Sequence, residues 1–276
     1  EEGLKDVDRV VERLPDFQAA LRIRGLLRMG AGLALSGAGG DPRDLYVAAE
    51  RDFDTCLDLD PADRTALLNR GCARVRRAQV AEDVGEAPAD LYEGAVEDFS
   101  AVLQGQPDHA PSLRNRGVAL SGLGRCLADR GGDPLPALRR ALSDLEEVAR
   151  LDPSFLTFLN LGSVRICLAE WESCHGRAAR ETAAKAVSDL ERALESRPDS
   201  AAARVNLGSA FNLLARVREA QGGDPMDLYA QGVLHLQEAA RRNPDLAAAH
   251  GNLGGILLQR ARRLQSRGLD PTADLD

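Results

Sequence analysis

The sequence predicts an all-α protein, a solenoid of stacked antiparallel helical hairpins. Three observations carry this. A glycine recurs at Gly25, Gly71, Gly117, Gly162, Gly208 and Gly254, in steps of 46, 46, 45, 46 and 46 residues, and a proline keeps the same clock at Pro15, Pro61, Pro107, Pro153, Pro198 and Pro244. Self-similarity at a fixed period of this size is the mark of a repeat architecture. Between the markers the apolar residues fall at i, i+3, i+4 and i+7, as in Ala201–Ala215, with no interior proline. Aromatic residues make up only 4% of the chain, so the core has to be built from Leu, Ala and Val, which favours close helix packing over an aromatic-rich sandwich.

Each repeat reads as one hairpin. A first helix, helix A, follows the marker proline and ends near a breaker such as Gly39-Gly-Asp-Pro42, Gly85-Glu-Ala-Pro88, Gly131-Gly-Asp-Pro134 or Gly222-Gly-Asp-Pro225. Glycine past one helix and proline in the first turn of the next is the punctuation such a hairpin needs. Helix B then runs to the next marker proline. The two helices are expected at about 20 and 16 residues, roughly 30 and 24 Å long at about 1.5 Å per residue. The boundaries that follow are 1–14 (helix B of a truncated repeat), 15–60, 61–106, 107–152, 153–197 and 198–243 (repeats one to five), and 244–276 (helix A of a truncated sixth). The interval from each marker glycine to the next proline is constant, which places the one-residue deletion between Pro153 and Gly162. Both ends fall in the same inter-helix region, so the chain is expected to be a segment of a longer array or larger protein.

The order Asn-x-Gly on helix A, then alanine, then a large apolar residue four later, then proline eight after that resembles the tetratricopeptide repeat (TPR). Repeat two shows it as Asn69, Gly71, Ala95, Phe99 and Pro107; Ala49 and Phe53, Ala141 and Leu145, Ala186 and Leu190, and Gly232 and Leu236 are the corresponding pairs elsewhere. Ordinary TPR units are about 34 residues long, with about 12 residues between the signature glycine and alanine; Gly71 and Ala95 stand 24 apart. The added length therefore sits around the A–B turn and the hairpins should be taller. The resemblance implies a right-handed superhelix with an inner wall made mainly by the A helices. It also implies that Gly71 and Ala95 let helices A and B approach closely, while Phe53, Phe99, Leu145, Leu190 and Leu236 fill the gap toward the next repeat.

The function implied is that of a non-catalytic scaffold binding a protein or an extended peptide in the concave groove. The candidate ligand-binding residues are Asn69, Asn115, Asn160, Asn206 and Asn252, each two residues before a marker glycine. A carboxamide offers both a donor and an acceptor, which suits a peptide backbone, and in some TPR proteins such a ladder holds an extended peptide. Arg22, Arg76 and Arg114 are assigned to the same face and should make its first half more basic. A carboxylate-clamp subtype is not expected, because Lys5 and Lys185 are the only lysines and neither stands in a groove position. Helices A carry arginine and helices B carry acids. This reads either as a basic inner wall attracting acidic peptides or as pairing between the two helices, and the matched slots Arg24, Arg70, Arg116 and Asp52, Asp98, Asp144, Asp189 favour pairing. Exposed pairs of that kind would contribute about 0–1 kcal/mol each. Trp171, in the irregular fourth repeat, is either a helix-end cap or an interface anchor.

Other classes are disfavoured. A formal charge of −8 argues against tracking nucleic-acid phosphates. The cysteines, Cys56, Cys72, Cys126, Cys167 and Cys174, are odd in number and lack a CxxC pair, which indicates reduced thiols rather than disulfides or zinc. The histidines lack metal-ligand spacing, adjacent Cys174 and His175 point about 100° apart on a helix, and no cofactor is expected. Without a signal peptide or a long apolar run, a cytoplasmic protein is expected, without membrane association. The strong preference for arginine over lysine suits a GC-rich, bacterial genome. A monomer is expected, with end-to-end stacking into a structural array as one alternative and a regulatory region of a bacterial protein kinase or caspase-like peptidase as another.

Overall fold

A computed structural model describes residues 2–86 and 88–270. The chain divides into two units, Glu1–Glu147 and Val148–Asp276. All regular structure among the described residues is helical. The first unit holds α1 (Glu2–Arg13), α2 (Gln18–Gly37), α3 (Arg43–Leu59), α4 (Arg64–Asp83), α5 (Ala89–Gly105), α6 (Ala110–Asp129) and most of α7 (Leu135–Leu151). The second holds α8 (Phe155–Cys174), α9 (Arg180–Ser196), α10 (Ala201–Ala220), α11 (Met226–Arg242) and α12 (Ala247–Ser266). The A helices α2, α4, α6, α8, α10 and α12 are 20 residues long and the B helices α3, α5, α7, α9 and α11 are 17. Within each unit consecutive helices pack on one another, and successive A helices also touch, α2 on α4 on α6 and α8 on α10 on α12. This is the stacked-hairpin architecture of an all-α solenoid.

The helix ends are set locally. Asp63 caps α4 by accepting from the backbone of Thr65 and Ala66, and Ser200 caps α10 by accepting from Ala203. Every A helix stops at a glycine of positive φ: Gly39, Gly85, Gly131, Gly176, Gly222 and Gly268. The left-handed conformation lets the next amide reach back five residues, as from Gly40 to the Leu35 carbonyl at 2.9 Å and from Arg177 to the Glu172 carbonyl at 2.8 Å. Gly176 shows that repeat four, which lacks the Gly-Asp-Pro breaker, uses the same stop. The deletion lies in residues 152–154 between α7 and α8, where three residues do the work of the four in 60–63 or 197–200. The Thr157 hydroxyl, donating to the Asp152 carbonyl at 2.9 Å, closes this shorter junction.

The marker glycines are holes for helix B side chains. A Cβ at Gly71 would stand 2.7 Å from the Phe99 ring, and Gly25 meets Phe53, Gly117 meets Leu145, Gly162 meets Leu190 and Gly208 meets Leu236 in the same way. All five large residues are fully buried. Phe53 and Phe99 also fill the gap to the next repeat, where they share core clusters with Ala73 and Ala119. The lengthened part of the hairpin carries a second row of this kind. Tyr46, Tyr92, Leu138 and Tyr229 are buried in one helix B slot, with Tyr46 over Gly32, Tyr92 over Gly122 and Leu138 over Gly124; Ala183 takes the slot in repeat four. All three tyrosines of the chain are thus used as packing residues.

Candidate functional site

The candidate asparagines lie on the A helices, Asn69 and Asn115 in the first unit and Asn160, Asn206 and Asn252 in the second. Three of them reach sideways to the preceding repeat. Asn206 Nδ2 donates to Ser163 Oγ at 2.9 Å, Asn252 Nδ2 to Ser209 Oγ at 2.9 Å, and Asn115 Nδ2 to Cys72 Sγ at 3.2 Å. Each acceptor is the residue one position after a marker glycine. Ser163 and Ser209 give their own protons to the carbonyls of Leu159 and Val205, at 2.8 and 3.0 Å. Only lone pairs remain on these hydroxyls, so the asparagine has to present its N–H, and its Oδ1 is left facing away from the bond. Asn206 is half-buried and Asn252 exposed. Burial pushes the Cys72 thiol up to about 11, which keeps it a neutral and weak acceptor. For Asn69 the slot in the preceding repeat holds Leu26, which has no acceptor to offer.

The arginines divide. Arg22 is not a free groove cation: its Nη1 donates to Asp63 Oδ2 at 2.7 Å, so it buttresses the cap of α4. Arg76 is exposed and donates to Gln79, and Arg114 is half-buried on α6. The expectation of a basic first half therefore loses Arg22, because an N-cap aspartate forty-one residues away already uses it.

Pairing between the helices engages several other arginines of the first unit. Arg24 grips Asp52, Arg70 grips Asp98 and Arg116 grips Asp144, each with two guanidinium nitrogens. Arg28 and Arg74, one turn on, add second donors to Asp52 and Asp98. In repeat four Leu161 occupies the first arginine slot and Arg165, from the second slot, pairs with Asp189. The expectation of exposed pairs needs correction, because Asp52 and Asp98 are each 2% accessible. Burial holds the Asp98 carboxyl above its ordinary value against the opposing pull of Arg70 and Arg74. Such pairs are hairpin clamps whose desolvation is costly, and their guanidiniums are spent inside the fold.

Trp171 sits at the end of α8, half-buried, with the His175 ring stacked on it at 4.1 Å between centroids and the Arg177 guanidinium over it at 4.7 Å. His175 Nδ1 also meets the Trp171 carbonyl at 2.8 Å. Both features close the helix end, which is the capping alternative for Trp171, and they occupy the histidine that would have had to act as a base for Cys174. All five cysteines are free thiols. Among the described residues no group of His, Cys, Asp and Glu is placed to hold a metal, and no helix is long and apolar enough to cross a membrane.

No protein-family model matches the sequence, and none of the curated proteins does. Solved structures do. A thermophilic TPR protein of Thermus thermophilus, TTC0263, superposes with a TM-score of 0.52 at 20% identity, over 85% of this chain and 99% of that one. Human IFIT1, as a dimer with m7Gppp-AAAA, superposes with a TM-score of 0.54 at 16% identity, over 96% of this chain and 53% of that one. Likeness at these identities speaks for fold, and it agrees with the hairpins, marker glycines and buried helix B residues described above: the chain has the fold of the tetratricopeptide-repeat proteins.

Proposed function

We propose that this chain is a non-catalytic interaction scaffold that holds a protein segment or extended peptide against its A helices. The observation that carries this reading is the fixed orientation of Asn206 and Asn252. Each spends an N–H on the serine of the preceding repeat and keeps a carbonyl oxygen available, so the row offers acceptors at regular intervals. An extended peptide supplies backbone N–H donors at regular intervals, and donors of that kind do not depend on side-chain identity. Asn160 in the same unit, and Asn69 and Asn115 in the other, are proposed for the same role. Arg76 and Arg114 are proposed as flanking contacts, and Trp171 is assigned to the helix end rather than to the ligand. Partner recognition by a row of polar groups needs no cofactor. The expected ligand is peptide rather than the capped RNA that IFIT1 binds, since the negative net charge of this chain opposes phosphate.

The test uses peptides selected from a displayed random library against the protein. Replacing Asn206 and Asn252 together by alanine is expected to weaken the selected peptides at least tenfold, and N-methylation of the ligand's backbone should do the same at the contacted positions. Unchanged affinity in both measurements overturns the reading.

A further inference from the structure

The repeat supplies an internal standard against which local departures can be read. Four residues after the marker glycine stand Met29, Val75, Ser121, Ile166 and Leu258, but repeat five has Asn212. One residue after the glycine stand Leu26, Cys72, Val118, Ser163 and Ser209, but repeat six has Gly255; three residues before it, Arg22, Leu68, Arg114, Leu159 and Val205 give way to Gly251. These departures converge in space. Asn212 and Arg216 of α10, Gly251, Asn252 and Gly255 of α12 and Glu170 of α8 line one cavity of about 180 Å³ within the second unit. A Cβ placed on Gly251 or Gly255 would meet nothing within 4 Å, so the missing side chains are what open it. A space of this size admits several waters, and so a side chain such as glutamine's.

Asn252 and Ser209 in its wall are bonded to each other, but three further polar side chains stand unengaged among the described residues. Asn212 Oδ1 is shut off from solvent and accepts no hydrogen bond from any described residue. An acceptor buried in that state is costly to maintain. Glu170 and Arg216 face the cavity with opposite charges, and neither has an ion-pair partner among the described residues. Desolvation by the surrounding wall holds the Glu170 carboxyl above its ordinary value, an effect that Arg216 partly offsets. A cationic ligand side chain would meet Arg216, an anionic one would meet Glu170, and an apolar one would leave Asn212 Oδ1 unsatisfied. A neutral group that donates and accepts from adjacent atoms answers all three, with its N–H on Glu170, or on Asn212 Oδ1 once that carboxamide turns toward the cavity, and its oxygen on Arg216.

We infer that this cavity is a specificity pocket for a carboxamide side chain, glutamine or asparagine, of the bound peptide. The inference rests on the peptide-binding reading and adds to it the one position at which side-chain identity is read. A site built to hydrogen-bond a polar group discriminates strongly against ligands that lack it.

The experiment is a positional-scanning peptide library, each position fixed in turn and the rest randomised, read for binding to the intact protein and to two variants. Asn212→Leu places at this slot the residue that repeat six carries there, and Gly255→Leu refills the cavity with the residue of repeat one. Helical circular dichroism and thermal unfolding establish that both are folded. Wild type is expected to enrich Gln or Asn at one position at least tenfold over Leu, Lys and Glu, and both variants should lose that preference while still binding the library. Binding without a carboxamide preference, a preference for a charged residue, or a preference that survives in Asn212→Leu overturns the pocket and leaves the peptide reading standing. A library that does not bind wild type at all overturns both.

Discussion

Asn206 donates to Ser163 across neighbouring A helices at 2.9 Å, and the accepting hydroxyl has already committed its proton to the Leu159 carbonyl at 2.8 Å. The two bonds together fix which way the carboxamide faces. A double-mutant cycle with Asn206→Ala and Ser163→Ala, followed by urea unfolding, should give a coupling energy of about 0.5–1.5 kcal/mol. Additive single effects would mean that the contact orients nothing.

The marker glycines give a contrast with opposite signs. Gly71→Ala adds a methyl group 2.7 Å from the Phe99 ring, and overpacking of that kind is expected to cost about 1–3 kcal/mol. Gly254→Ala adds one where nothing lies within 4 Å, and replacing a mid-helix glycine should stabilise by about 0.5–1 kcal/mol. Denaturant midpoints of the two variants should therefore move in opposite directions. Phe99→Ala, the reverse operation on the same contact, should cost about 3–5 kcal/mol.

The buried clamps should behave unlike surface pairs. Asp98→Ala takes from Arg70 and Arg74, two guanidiniums with 20% side-chain exposure, the buried acceptor they share and leaves them Asp54 and Glu50; removing one partner of a buried pair is expected to cost at most about 3–5 kcal/mol. Glu181→Ala, which breaks the exposed pair with Lys185, should leave stability essentially unchanged. Equal thermal shifts for the two would contradict the burial of Asp98.

His235 should give the protein an acid-sensitive step. Its ring lies on Phe211, with centroids 5.7 Å apart, and its buried Nδ1 has no hydrogen-bond partner among the described residues. Burial, followed by the charge of Arg204, lowers its pKa from the ordinary 6.5. The unfolded chain then binds the proton more readily than the folded one, so stability is full above about pH 6.5 and declines as the pH falls through the window below it. His235→Phe keeps the ring stack and should flatten this part of the stability profile in urea titrations at stepped pH.

Much of this fold was legible because a solenoid writes each structural need once per period. Gly71 and Phe99 could be matched from spacing since every copy repeats the same hole and filler. The buried tyrosine row was equally present, with Tyr46 and Tyr92 in register, yet it lies in the lengthened segment where the TPR pattern offers no template. The pairing of Arg22 was hidden for a different reason. A slot on helix A fixes where a long side chain starts, but not that a capping carboxylate, Asp63, stands within its reach. The asparagines share a position in the period that spacing makes visible, whereas the direction of the Asn206 and Asn252 carbonyls depends on the hydroxyl protons of Ser163 and Ser209, which spacing does not encode. Asn212, Gly251 and Gly255 each departed from the repeat visibly, but only packing brings the three departures to one cavity.

The left-handed glycines at the hairpin tips separate two tasks that compact proteins usually entangle. Because the stop at Gly222 is completed by its own helix, through the Gly223 amide on the Arg218 carbonyl at 3.0 Å, the glycine turn itself needs no neighbour; Asp224, just beyond it, is the residue that reaches the next repeat, through Arg267 at 2.9 Å. Foreign segments spliced after Gly223, with the Asp224 contacts kept, should therefore be carried at the rim without disturbing the stack, which makes such tips natural sites for grafting epitopes, reporters or additional binding loops.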